Sequence, residues 1–138
     1  MTEKFAHASG KRKNAVARTT VRSGTGRILI NSKNLESLDN KIFKSKIRLP
    51  VILATDYVDD SKIDIIVKSN GGGVIGQADA ISSSIAKALV EYTKEKELQG
   101  VYIKYDRTLI AGDHRQKEAR KPSQSNKGAR HKRQKSYR

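Results

Sequence analysis

The stretch Lys62-Ile63-Asp64-Ile65-Ile66-Val67-Lys68, with Ser69-Asn70-Gly71-Gly72-Gly73 and Val74 to Lys94 after it, decides the fold. Isoleucine and valine packed into a short run between two cations predict a buried strand over residues 62–68. The three glycines that follow predict a turn, because glycine alone enters positive φ without a steric penalty. Beyond the turn, Ala78, Ile81, Ile85, Ala88, Leu89 and Tyr92 recur every three or four residues. That spacing puts them on one apolar stripe of a helix over about 75–94. A strand that turns tightly into a long amphipathic helix requires a sheet for the helix to cover.

Further strands are expected on the N-terminal side. Residues 15–22, Ala-Val-Ala-Arg-Thr-Thr-Val-Arg, alternate as a strand and place Arg18 and Arg22 on one face. Ser23-Gly24-Thr25-Gly26 reads as a turn, with Arg27-Ile28-Leu29-Ile30 returning as the hairpin partner. Leu35, Leu38, Ile42 and Ile47 then recur at near-helical spacing among Lys41, Lys44 and Lys46, so one or two short helices are expected, closed by Pro50. On the C-terminal side, residues 97–106 fit a strand or a helix equally well, and Thr108–Ala111 reads as a last short strand. The sum is an α+β fold, a small sheet of about four strands packed with helices. Ser82-Ser83-Ser84 is expected on the helix surface, and Asp56, Asp59, Asp60 and Asp64 as solvated acids around the turn before the central strand.

The net charge is +15, and it is unevenly spread. Residues 1–26 hold six Lys/Arg against one acid, residues 27–106 twelve against eleven, and residues 107–138 eleven against two. A near-neutral middle with cationic ends points to contact surfaces for a polyanion, since a solubility device would be spread evenly. After Gly112 the aliphatic residues stop, leaving only Ala119 and Ala129 among Lys, Arg, Gln, Ser and Asn. Such a segment cannot bury enough surface to offset its ordering entropy. The expected division is therefore a globular domain over 1–112 and an extended tail over 113–138, disordered when free. Fully extended, Asp113 to Arg138 spans at most roughly 85–90 Å at about 3.3–3.6 Å per residue.

Several classes of function lose ground at this stage. The chain has no cysteine, which excludes disulfides, thiolate catalysis and the usual zinc ribbons. His7, His114 and His131 are scattered, so no metal is expected. No apolar run reaches the ~18 residues of a membrane span, and Met1–Phe5 resembles neither a signal nor a transit segment; a cytoplasmic protein without a membrane partner is expected. Gly71, Gly73 and Gly76 match a dinucleotide-binding spacing, but the unit lacks a second strand ending in an acid about twenty residues on, because Glu91 falls inside the helix. A packing turn, with a phosphate on the helix N-terminus as an extra, is the better reading, and no cofactor is expected. Gly10-Lys11-Arg12-Lys13-Asn14 reads as a cationic loop before the first strand, suited to phosphate.

Gly10-Lys-Arg-Lys-Asn-Ala-Val-Ala-Arg18, Ile30-Asn31, Gly71 to Ala78, Ala86-Lys-Ala-Leu89, Tyr105-Asp-Arg-Thr-Leu-Ile110, Gly128-Ala-Arg130 and Gln134-Lys-Ser-Tyr-Arg138 stand in this order along the chain. In these motifs it resembles the ribosomal protein S9 family, in its archaeal form, from about Ser9 to the end. The resemblance implies a domain in the head of the small subunit with a left-handed β-α-β unit like that of the ribonuclease P protein, and a helix over 96–105. It implies a cytoplasmic, ribosome-bound protein without enzymatic activity, whose partners are small-subunit rRNA, neighbouring head proteins and P-site tRNA. The cations expected to meet rRNA are Lys11, Arg12, Lys13, Arg18, Arg22, Arg107, Arg115, Lys117, Arg120, Lys121, Lys127, Arg130, Lys132 and Arg133, those of the cationic segments at the two ends. Lys135 and Arg138 are matched to tRNA. Two motifs differ: Asp113-His114-Arg115 stands where archaeal relatives commonly have Asp-Pro-Arg, and Pro122–Lys127 where they have a Gly- and Pro-rich link.

A ribonuclease P-type protein would share the charge, but it would carry an Arg-rich helix, and residues 75–94 contain no arginine. A DNA-compacting protein would share only the tail. For the rRNA reading, removal of residues 113–138 is expected to flatten the salt dependence of binding by several units of log–log slope. Each neutralised phosphate contributes about 0.7–0.9, and filter binding across a salt series measures it.

Overall fold

The computed structural model describes residues 4–118. The strands are β1 (Phe5–Arg12), β2 (Ala15–Ser23), β3 (Ile28–Ile30), β4 (Lys33–Asn34) and β5 (Ile63–Asn70). The helices are α1 (Lys41–Leu53), α2 (Val74–Thr93), α3 (Lys96–Tyr105) and the single turn α4 (Thr108–Ala111). The sheet order is β1-β2-β5-β3-β4, antiparallel except for the parallel pair β3 and β5, which α1 links in a β-α-β unit.

The central strand and the long helix form as the sequence predicts, and residues 96–105 form the helix that the family resemblance implies. The strand expected over 15–22 forms as β2, but another precedes it: Phe5–Arg12 was not expected as a strand, and Lys11 and Arg12 lie in it instead of a loop. Its inward positions are Ala6, Ala8, Gly10 and Arg12, and the small side chains of the first three argue against a strand on propensity alone. Smallness is what the fold needs there. A Cβ on Gly10 would collide with the Ala80 carbonyl oxygen and sit 2.8 Å from the Ser84 nitrogen, so α2 lies directly on β1. The turn between β1 and β2 is only Lys13-Asn14, with Lys13 in the left-handed region at φ 54°.

The expected hairpin of residues 15–22 with 27–30 is also corrected. β2 pairs with β1 and β5, while β3 pairs on the far side of β5. Asp64 decides this crossing. Its carboxylate, 3% exposed, accepts hydrogen bonds from the Thr25 nitrogen at 2.8 Å, the Arg27 nitrogen at 3.1 Å and the Arg27 guanidinium at 3.2 Å. Gly24 and Gly26 donate to the Lys62 and Ile63 carbonyls. The segment therefore wraps the start of β5 instead of doubling back on β2. Asp64 is a buried anchor, not a solvated acid.

Three further expectations fail for packing reasons. Pro50 lies inside α1, which continues to Leu53. The Pro50 side chain is fully buried, and its carbonyl accepts from the Tyr102 hydroxyl at 2.7 Å, so tertiary contacts offset the amide hydrogen bond that proline cannot make. Ser82, Ser83 and Ser84 are buried because α2 is covered by the sheet on one side and by α1 and α4 on others. Ser84 pairs with the Thr19 hydroxyl at 2.6 Å and Ser83 donates to the Leu109 carbonyl at 2.9 Å. Thr108–Ala111 is a helical turn, started by the Asp106 carboxylate accepting from the Thr108 nitrogen at 2.8 Å. Ile81, Ile85 and Leu89 are fully buried, each contributing about 1.5–3 kcal/mol. A neutral hydrogen bond such as Thr19–Ser84 adds only about 0.5–1.5 kcal/mol net. Apolar burial holds α2 down, and the serines set where it sits.

The Thr25 amide and the Arg27 groups hold the Asp64 carboxyl below the ordinary carboxylate range, against the opposing effect of burial. A depressed folded pKa gives stability that is complete above the unfolded pKa of about 4 and is lost as pH falls through the folded value. Asp64→Asn is expected to cost about 1.5–3 kcal/mol at neutral pH, toward the lower end because Arg27 reaches solvent. The difference from the parent should shrink below pH 4, and urea unfolding across a pH series measures it.

Candidate nucleic-acid interface

The helices cover one face of the sheet. Register places Phe5, His7, Ser9 and Lys11 of β1, Val16, Arg18, Thr20 and Arg22 of β2, and Ile66 and Lys68 of β5 on the other face. Alternation in β2 sends Ala15, Ala17, Thr19 and Val21 into the core, so the arginines must point away from it. Arg18 and Lys68 are direct cross-strand partners. Like charges so placed repel each other, and neither has a salt-bridge partner among the described residues. Two adjoining concavities of about 390 and 540 Å³ both have Arg18 and Lys68 in their walls. His7 shares a hydrogen bond with the Thr20 hydroxyl at 2.9 Å, and the exposed Phe5 ring lies 5.2 Å from the His7 ring. The face thus offers cations for phosphate and an aromatic ring for a base.

Other cations are already occupied. On α1, Lys46 pairs with Asp79 and Arg48 with Glu36. Lys4 stands over the Tyr92 ring at 4.6 Å. Arg12 turns inward, its side chain 17% exposed, and contacts Asp113 at 3.3 Å. Asp113 also takes the Arg115 guanidinium in a two-pronged contact, with Nε at 3.0 Å from one carboxylate oxygen and a terminal nitrogen at 2.7 Å from the other. The Arg115 side chain and then its backbone N–H hold the Asp113 carboxyl well below the ordinary carboxylate range, with a smaller contribution from Arg12. Asp113 is therefore ionised throughout the neutral range.

Of the residues expected to meet rRNA, Lys11, Lys13, Arg18 and Arg22 are exposed at the hairpin and on the open face. Arg107 is exposed at the start of α4, and Arg115 and Lys117 follow Gly112. Arg120, Lys121, Lys127, Arg130, Lys132, Arg133, Lys135 and Arg138 lie outside the described residues. Lys68 was missed. Its place opposite Arg18 depends on strand pairing, and the signal available was its alternation with Ile65 and Val67 on the predicted strand. The glycine turn packs as expected: Gly71, at φ 76°, comes so close to the first hairpin that a Cβ would sit 2.5 Å from the Asn14 carbonyl oxygen. Among the described residues, no group of three or more His, Cys, Asp or Glu could hold a metal, and no helix is long and apolar enough to cross a membrane.

Residues 10–138 match the family model described as ribosomal protein S9/S16. The chain is 48% identical over 135 residues to the small ribosomal subunit protein uS9 of Methanococcus maripaludis strain C5, covering 98% of this chain and 99% of that one. The uS9 of Methanococcus vannielii is 45% identical over the same shares.

Lys68→Gln relieves the repulsion with Arg18 and is expected to raise stability by about 0.2–1 kcal/mol at low salt, with the gain vanishing at high salt. RNA affinity should fall in the same variant. Urea unfolding and filter binding measure the two effects, and unchanged RNA binding would remove the open face from the interface.

Proposed function

We propose, for a chain that belongs to the ribosomal protein S9/S16 family and is a structural, non-enzymatic constituent of the small ribosomal subunit, that its open sheet face and basic C-terminal arm bind small-subunit rRNA while the end of the arm reaches P-site tRNA. Its place of work is the cytoplasmic ribosome, beside neighbouring proteins of the subunit head. The rRNA part rests chiefly on Arg18 and Lys68, two cations facing each other across adjacent strands with no salt-bridge partner among the described residues. A phosphate between them turns repulsion into attraction, whereas a solvated surface would gain nothing from the arrangement. Lys11, Lys13 and Arg22 extend the same charge along the sheet, and Phe5 supplies a ring on which an unpaired base can stack.

The arm supplies reach. Twenty residues beyond Glu118, fully extended, span roughly 65–70 Å at about 3.3–3.6 Å per residue, enough to pass through folded RNA to a second ligand. The family match runs to residue 138, which supports carrying the family's tRNA contact to Arg138, with Lys135 behind it. A guanidinium can hold a phosphate with two parallel hydrogen bonds.

Deletion of Arg138 is expected to leave the protein folded and assembled into subunits, because the residue lies more than twenty positions beyond α4, the last element among the described residues. P-site tRNA should dissociate faster from programmed subunits, by the equivalent of about 1–3 kcal/mol at most for one charged contact. Arg138→Lys should recover part of the loss, since the charge survives and the fork does not. Equal off-rates for parent and deletion would end the tRNA reading and leave the rRNA reading standing.

A further inference from the structure

We propose that Asp113 is a positioning residue that clasps the start of the C-terminal arm to the tip of the β1–β2 hairpin, so that Arg12 and Arg115 direct the arm instead of neutralising phosphate. The proposal rests on the reading that the arm binds RNA, and it revises which of the arm's cations do so. The clasp has contacts on both sides. Asp113 accepts from Arg115 through Nε, a terminal guanidinium nitrogen and the backbone N–H, and forms an ion pair with Arg12 at 3.3 Å. Arg12 in turn donates to the Arg115 carbonyl at 2.9 Å, and the backbones of Arg12 and Asp113 form a parallel bridge.

The Arg12 and Asp113 side chains are 17% and 12% exposed, so this is a partly enclosed joint between segments about a hundred positions apart. The guanidinium edge of Arg115 that would grip a phosphate is spent on Asp113. Lys11, Lys13 and Lys117, beside the joint, are exposed and have no salt bridge among the described residues. The joint therefore merges the N-terminal cationic segment and the arm into one surface at one end of the hairpin.

This assigns a use to an acid that otherwise works against the arm, since residues 107–138 contain only Asp113 and Glu118 as acids. It also reverses the sign expected from charge alone. Neutralising Asp113 makes the protein more cationic, and counterion release by itself predicts tighter binding to RNA. If Asp113 aims the arm, the same change frees residues that must be ordered again on binding, and affinity falls.

The chain has no cysteine, so spin labels can be attached to the full-length protein through Glu91→Cys on α2 and Lys117→Cys in the arm. Without RNA, the parent should show a narrow distance distribution. Asp113→Asn should broaden it, and Arg12→Gln, which breaks the same joint from the sheet side, should do likewise. In unlabelled protein, Asp113→Asn should weaken binding to small-subunit rRNA by about three- to tenfold, the scale of one residue released from order. A distribution that stays narrow in either variant overturns the proposal, as does equal or tighter rRNA binding by Asp113→Asn. Failure of the parent to bind rRNA would instead count against the function proposed for the arm, and the label distances would still decide whether Asp113 holds it.

Discussion

The contact on which the rest of the structure depends is the close approach of α2 to β1 and β2. Gly10 leaves no room for a side chain between its backbone and Ala80 and Ser84, and Ala15, Ala17, Ala78 and Ala80 are buried around it. A helix seated this low also holds α4, because Ser83 on its other flank donates to the Leu109 carbonyl. Both halves of the Arg12–Asp113 joint therefore depend on α2, one through β1 and one through α4. Small residues at the helix–sheet contact govern where two distant basic segments meet.

The cations fall into two groups, and acids separate them. Arg12, Arg27, Lys46 and Arg48 are matched with Asp113, Asp64, Asp79 and Glu36, and they tie one segment to another. Lys11, Lys13, Arg18, Arg22 and Lys68 have no such partner among the described residues and lie at the hairpin tip or on the open face. In a protein with a net charge of +15, an acid placed beside a cation removes it from competition for polyanion and commits it to the fold. A count of Lys and Arg overstates the unpaired surface charge for this reason.

The two largest corrections to the sequence reading have one origin. β1 was missed because Ala, Gly and Ser are poor strand formers, and their value appears only when a helix presses on them. The hairpin of 15–22 with 27–30 was misassigned because Asp64, in a distant segment, pulls residues 24–27 across the start of β5. Pro50 and Ser82–Ser84 follow the same rule. Local propensity reads proline as a stop and serine as surface, and burial from several sides overrides both.

The sequence by itself determined the α+β class, the central strand, the glycine turn, the long helix, the uneven charge and, through an ordered set of motifs, the family. These are properties of periodicity, composition and order along the chain, and they survive without knowing what packs on what. Tertiary structure alone decided the strand order, the pairing of Lys68 with Arg18, the burial of Asp64 and the enclosure of Arg12 by Asp113. Each joins residues far apart in the chain, where no local pattern records the partner and the energy of a charge depends on what the fold brings beside it.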